Sequence, residues 1–299
     1  MVIQKVTLKN GEEIAYRERE GGAKPIVLIH GNMTSSKHWD LLMEELDSSY
    51  KVYALDLRGF GYSSYYERIS SIKDFADDVK GFVDKLGLDK FSMIGWSTGG
   101  AVAMQFEIDY PGLCEKIVLL ASGSTRGYPM FETMEDGTAN LNRRLQTLSE
   151  IEADKKTIGM QYLYDSKDRE GLKAVWNAVI YTDKKPDEKK YEEYIDDMLT
   201  QRNLADVYHA LNTFNISAEH NGVSEGSNEA TTIRIPILVL HGDRDYVVTE
   251  KMTQEIIEDL GHVAEYHRLK NTGHSPMIDD LEQVKTKIES FLEVETRHD

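Results

Sequence analysis

The amino-acid sequence predicts an α/β protein: a parallel β-sheet with helices on both faces, interrupted by a helical insertion before the last strands. Three observations predict it. Short apolar runs recur along the chain, amphipathic segments of helical period lie between them, and this alternation lapses between about residues 123 and 233. Brief, nearly unbroken apolar runs suit strands buried on both faces, which is what a sheet covered by two helix layers requires. Strands that alternate with helices along the chain are the pattern of that architecture.

Taken in order, residues 2–8 and 14–19 alternate apolar and polar side chains around Asn10-Gly11, a pair that signals a hairpin with both turn residues at positive φ. Apolar runs follow at 26–29, 52–55, 91–94, 117–120 and 237–240. Ile72, Phe75, Val79, Phe82, Val83 and Leu86 share one helical face, with Ser71 and Asp74 at capping-box spacing and Gly87 as a stop. Met252, Ile256, Ile257 and Leu260 repeat the pattern ahead of Gly261, and Leu281, Val284, Ile288 and Phe291 form the last such face. The intervening segment contains "KKPDEKKYEEYIDDML" and "LADVYHALNTF", both helix-compatible, then the polar stretch "SAEHNGVSEGSNEATT". Its charge run, residues 184–197, reads as a solvated helix face. The chain therefore divides into a core in two parts, 1–122 and 234–299, with a helical segment over 123–233 between them.

Composition narrows the partners. With 35 Lys and Arg against 52 Asp and Glu, the 299 residues carry a formal charge of −17. Such a surface repels phosphate backbones and anionic lipid, so neither nucleic acid nor membrane is expected as a partner. No apolar run approaches the length of a membrane span. The first twenty residues alternate rather than form an apolar block, so they are not expected to be a signal peptide. One cysteine, Cys114, leaves no intrachain disulfide and no cysteine-based metal cluster. The expectation is a cytoplasmic protein without cofactor or metal.

The chemistry centres on "GWSTG", residues 95–99. It follows an apolar run and precedes a helix-compatible one, the setting in which G-x-S-x-G forms a nucleophile elbow. A sharp strand-to-helix turn would hold the Ser97 hydroxyl clear of the sheet, and the amide of Thr98 would be free to donate to a developing oxyanion. A serine is a weak nucleophile without a base, and in this arrangement acid and base follow it in the chain. "HGDRDYVV" offers Asp243 and Asp245 after the 237–240 run, and "NTGHSP" offers His274 after the extended residues 264–269. Loops at the carboxyl ends of parallel strands share one edge of the sheet, so these distant residues can meet.

"LIHGNMTSSKHW" supplies a second donor: the His-Gly pair after a core strand turns the amide of Asn32 toward the oxyanion site, beside that of Thr98. His30 reads as a brace for its loop, and His241, His209, His220, His262 and His267 as packing or surface residues. "DLRGFGYSS", residues 56–64, reads as scaffold.

With the His-Gly loop at His30, Asp-x-Arg-Gly-x-Gly at Asp56, the elbow at Ser97, Gly-x-x-Asp at residues 242–245 and Gly-His at His274, the sequence resembles the α/β-hydrolase superfamily along its whole length. The resemblance implies a mostly parallel eight-stranded sheet, a helical cap after the sixth strand, and Asp245 as the triad acid. At a finer level, "HGNMTSSKHWD", Trp96, "RGYP", "AVWNAVIYT" and "LTQRNLADVYHALNTFNIS" resemble intracellular poly(3-hydroxybutyrate) depolymerases of Bacillus-type bacteria. Those enzymes commonly have methionine after the nucleophile, where this chain has Thr98. The resemblance implies a serine esterase with triad Ser97, Asp245 and His274, acting on a small ester or a polyester, with a polyester granule surface as a possible partner. A general short-chain carboxylesterase, lactonase or thioesterase is the alternative, and a slow-turnover ligand-sensing receptor on the same fold a further one. Trp96 and Trp176 are expected at the substrate, and Tyr181, Tyr208 and Phe214 are further candidates for an apolar slot above Ser97.

Overall fold

The computed structural model describes residues 1–294. The apolar runs form a single sheet from β1 (Ile3–Thr7), β2 (Glu13–Arg19), β3 (Lys24–Ile29), β4 (Tyr50–Leu55), β5 (Phe91–Trp96), β6 (Cys114–Leu120), β9 (Ile237–Gly242) and β10 (Ala264–Leu269), in the order β1-β2-β4-β3-β5-β6-β9-β10. Pairs β1–β2 and β2–β4 are antiparallel and all others parallel. The hairpin β7 (Phe131–Thr133) and β8 (Ala139–Arg144) lies apart from this sheet.

Successive residues of the central strands enter opposite cores. Val27, Ile29, Met93, Ile117, Leu119 and Val239 face one apolar cluster, whereas Ile26, Leu28, Ile94, Val118, Leu120 and Leu240 face the other. The first is closed by α2 (Ile72–Leu86), α3 (Thr98–Asp109) and α9 (Glu250–Leu260), the second by α1 (Asp40–Glu45) and α11 (Leu281–Glu293). Burial on both faces explains why these strands read as continuous apolar runs. The α2 boundaries follow its sequence signals: the Asp74 carboxylate accepts the Ser71 amide at 3.0 Å, and Gly87 ends the helix at φ 65°.

Between β6 and β9 the chain forms β7, β8 and five helices: α4 (Leu148–Ala153), α5 (Lys155–Asp165), α6 (Arg169–Val179), α7 (Glu188–Met198) and α8 (Leu204–Thr213). The remaining helix, α10 (Pro276–Asp279), follows β10. Among the described residues no helix is long and apolar enough to cross a membrane.

Three expectations need correction. In the first turn only Gly11 takes positive φ. Asn10 instead uses its amide to accept from Glu12 N and to donate to Asp78, so side-chain bonding replaces a left-handed residue. The segment over 123–233 is not wholly helical, because "MFETMEDGTANLNRR" turns back on itself at Gly137, φ 83°, and pairs as β7–β8. The charge run is not merely a solvated face: in α7, Tyr191, Tyr194, Ile195, Asp197 and Met198 are buried against the rest of the molecule.

Candidate active site

The elbow is built from glycine. Ser97 joins β5 to α3 at φ 55° and ψ −115°, a strained conformation for a residue with a side chain. A Cβ on Gly95 would stand 2.3 Å from Gly99 O, and one on Gly99 would stand 2.0 Å from Ile29 O, so larger residues are excluded. Backbone bonds hold the turn: Ser97 N donates to Leu120 O at 3.0 Å, and the amides of Gly100 and Gly123 donate to Ser97 O at 3.0 and 3.1 Å.

The loops after β9 and β10 bring the acid and the base to this turn. His274 Nε2 lies 3.2 Å from Ser97 Oγ, and its Nδ1 lies 2.9 Å from Asp245 Oδ2. The pattern suits the tautomer with a proton on Nδ1, donated to the carboxylate, and a lone pair on Nε2 for the serine proton. Asp245 Oδ1 accepts the amides of Val247 and Val248 at 2.8 and 2.9 Å. Burial alone would raise the Asp245 carboxyl, but His274 and those two amides outweigh it and hold it below its usual range. Asp243 accepts the Thr272 amide at 3.2 Å and braces the turn.

The loop after β3 presses on the serine, since a Cβ on Gly31 would stand 3.0 Å from Ser97 Cβ. Asn32 is the next residue. Thr98 opens α3, and its amide has no acceptor within the helix. The Thr98 hydroxyl is buried and unpartnered among the described residues. His30 is the expected brace: its Nε2 accepts Leu57 N at 2.9 Å, and burial lowers its pKa to about 4, so the ring is neutral. His241 likewise bonds its own loop, through Val248 O at 2.9 Å.

Both tryptophans expected at the substrate are buried. Trp96 is 2% exposed and donates its indole N–H to His274 O at 2.8 Å, so it holds the histidine loop from beneath. Trp176 is 1% exposed and packs on Tyr181 and His38. Tyr181, Tyr208 and Phe214 are buried too. The residue that sequence reasoning missed is His38. It stacks on Tyr194 of α7 at 4.1 Å, and its Nε2 lies 3.3 Å from Asp197 Oδ2. Ser35 Oγ also donates to Asp197. Burial would raise the Asp197 carboxyl, yet His38 and Ser35 prevail and lower it. The only advance signal was a histidine and an acidic helix in separate segments, with nothing to pair them.

An eight-stranded sheet with a serine, histidine and aspartate in hydrogen-bond sequence at its carboxyl edge defines the molecule as an α/β hydrolase. Comparison agrees: the chain belongs to the alpha/beta hydrolase fold family, whose profile matches residues 24–281. A 2-hydroxy-6-oxononadienedioate/2-hydroxy-6-oxononatrienedioate hydrolase of Paraburkholderia phymatum is 25% identical over 292 residues, covering 95% of this chain and 93% of its own. The AB hydrolase superfamily protein YisY of Bacillus subtilis is 23% identical, over 95% of this chain and 97% of its own. An esterase from Exiguobacterium antarcticum superposes with a TM-score of 0.74 at 16% identity, over 98% of this chain and 100% of its own. The enol-lactonase of Burkholderia xenovorans LB400 gives 0.70 at 20% identity, over 97% and 99%. At these identities the structural likenesses establish the fold.

Proposed function

We propose that this hydrolase cleaves carboxylic esters through an acyl-enzyme, with Ser97 as nucleophile, His274 as general base and acid, and Asp245 as its orienting carboxylate. The observation that carries the reading is the chain Ser97 Oγ, His274 Nε2, His274 Nδ1, Asp245 Oδ2, with contacts of 3.2 and 2.9 Å at a strained elbow. Ser97 Oγ attacks the ester carbonyl as its proton passes to His274 Nε2. The imidazolium, held by Asp245, returns that proton to the leaving alkoxide. Water then repeats the sequence on the acyl-enzyme and releases the acid. The amides of Asn32 and Thr98 receive the oxyanion, and the segment over 123–233 acts as the cap that keeps bulk water from it.

Within that class, the resemblance of the quoted motifs to those of polyester depolymerases is the support for short-chain 3-hydroxyalkanoate esters, polymeric or oligomeric, as substrates. A second reading comes from the Paraburkholderia relative, whose named substrate is a ketone-bearing dicarboxylate without an ester. On that reading the same machinery cleaves a carbon–carbon bond beside a ketone. Three substrates separate these: p-nitrophenyl butyrate, amorphous poly(3-hydroxybutyrate) granules and 2-hydroxy-6-oxononadienedioate. Ser97-dependent turnover of the butyrate ester with release of 3-hydroxybutyrate from granules is the expected result. Turnover of the dienedioate alone would overturn the ester reading, and turnover of none would favour a receptor. The four insertion aromatics expected at the slot are buried, so granule contact falls to Tyr162, 66% exposed on α5 one turn from exposed Ile158. Tyr162→Ala should slow granule degradation more than butyrate hydrolysis.

A further inference from the structure

Asn32 is half-buried, and its side-chain carbonyl is not directed to its own loop. It accepts a hydrogen bond of 2.8 Å from Gln201 Nε2, a residue 169 positions later in the segment joining α7 to α8. Gln201 is itself fixed. Its Nε2 also donates to Asn203 Oδ1 at 3.0 Å, its Oε1 accepts from Tyr164 Oη of α5 at 3.2 Å, and Asn203 Nδ2 donates to Arg58 O at 2.8 Å. All three of these side chains are buried. The loop they reach needs outside support, since Met33, directly after Asn32, is held at φ 62°. A residue in that region relaxes unless its surroundings over-determine it.

We propose that Gln201 is a positioning residue, which fixes the Asn32 amide of the oxyanion site by holding the Asn32 side chain. The inference rests on the ester-hydrolase reading. It adds that the oxyanion site is assembled from core and insertion together, with Tyr164 setting the orientation of the Gln201 carboxamide. A donor misplaced by about 1 Å can lower a rate by as much as ~10²-fold, while ground-state binding, which does not use the oxyanion, changes little.

The test is a double-mutant cycle of Gln201→Leu and Asn32→Ala, read on p-nitrophenyl butyrate beside the wild type and Ser97→Ala. Asn32→Ala keeps the backbone donor and removes only its tether. Each single variant should lower kcat by about 10-fold or more with KM nearly unchanged, and the double variant should be no worse than the worse single, as for residues acting through one contact. Binding of a boronic-acid mimic of the tetrahedral intermediate should weaken in step with kcat. Preserved kcat in folded Gln201→Leu, or losses that multiply in the double variant, would overturn the proposal. Should Gln201→Leu fail to fold, Tyr164→Phe decides: a lower kcat at constant KM supports the proposal and an unchanged kcat overturns it. A wild type without Ser97-dependent ester turnover would instead sink the ester-hydrolase reading and this inference with it.

Discussion

The two halves of the candidate site are held in different ways. The elbow at Ser97 is fixed by backbone: three main-chain hydrogen bonds, and glycines at 95 and 99 where a Cβ would run into main-chain oxygens. The loop over residues 31–40 is fixed by side chains, with core Asp56 accepting the Ser36 amide at 2.9 Å and further bonds coming from the insertion. Gln201 takes Asn32, Asp197 takes Ser35 and His38, and Tyr194 and Lys190 take Asp40 at 2.6 and 2.8 Å. A backbone lock is rigid and local, whereas a side-chain lock spanning 150 or more residues makes one half of the site depend on how a separate segment docks.

The largest effect should come from the groups the elbow presents. Ser97→Ala and His274→Ala should each lower kcat by on the order of 10⁴–10⁶-fold in folded protein, since they act as one unit. Asp245→Asn should cost about 10⁴-fold, and Asp243→Asn should leave the rate nearly unchanged. Steady-state kinetics on one ester checks all four, and a reversed order of the aspartates would break the assignment.

Next comes the backbone lock itself. Gly99→Ala, with its Cβ 2.0 Å from Ile29 O, should cost about 4 kcal/mol or more in a urea titration, because backbone must move to relieve the clash. On the other side of the site, Asp197→Ala should cost about 3 kcal/mol, as expected when a buried pair loses one member. Its pH dependence has a definite sign. The Asp197 carboxyl is held below its ordinary range, so its contribution is complete above that range and fades as pH falls through the lowered value. The variant should therefore differ most from the wild type near neutrality and least in strong acid.

The smallest effect tests the elbow's own helix. Glu107, buried on α3 with Oε2 unpartnered among the described residues, has its pKa raised by burial from 4.5 to about 7 against the pull of the Gly112 amide and Lys90. Its native state prefers the proton, so stability is greatest below about 4.5 and declines as pH rises to about 7. Glu107→Gln should remove that slope and stabilise the protein by about 1–3 kcal/mol at pH 8, with little change at pH 4. Thermal unfolding at the two values checks it.

The same contrast explains what could be read in advance. Strand runs, the α2 cap and the elbow with its base rest on local pattern or on an edge that any parallel sheet supplies, so Ser97 and His274 could be brought together with the Asp243/Asp245 pair from the residues; the choice of Asp245 comes from the family resemblance. Asp197, Gln201 and Tyr194 carry no such signal. In "KKYEEYIDDMLTQRN" they look like any charged helix, and only docking shows that Asp197 points inward while its neighbour Asp196 does not. The tryptophans show the same limit: an aromatic beside a nucleophile suggests a substrate wall, and nothing in the sequence tells that the buried indole N–H of Trp96 donates to the His274 carbonyl.

The seating of those aromatics gives the molecule a built-in optical probe. All three tryptophans are buried around the His38 joint: Trp39 and Trp96 are 6.2 Å apart, Trp96 and Trp176 lie 6.3 and 5.7 Å from His38, and Trp96 is 5.9 Å from His274. Tryptophan emission, excited selectively over the 16 tyrosines, therefore comes from this cluster. Separation of the insertion from the core would expose these indoles to water and should shift the emission to the red. Stopped-flow fluorescence on the unlabelled chain could then time the joint's opening against acyl transfer.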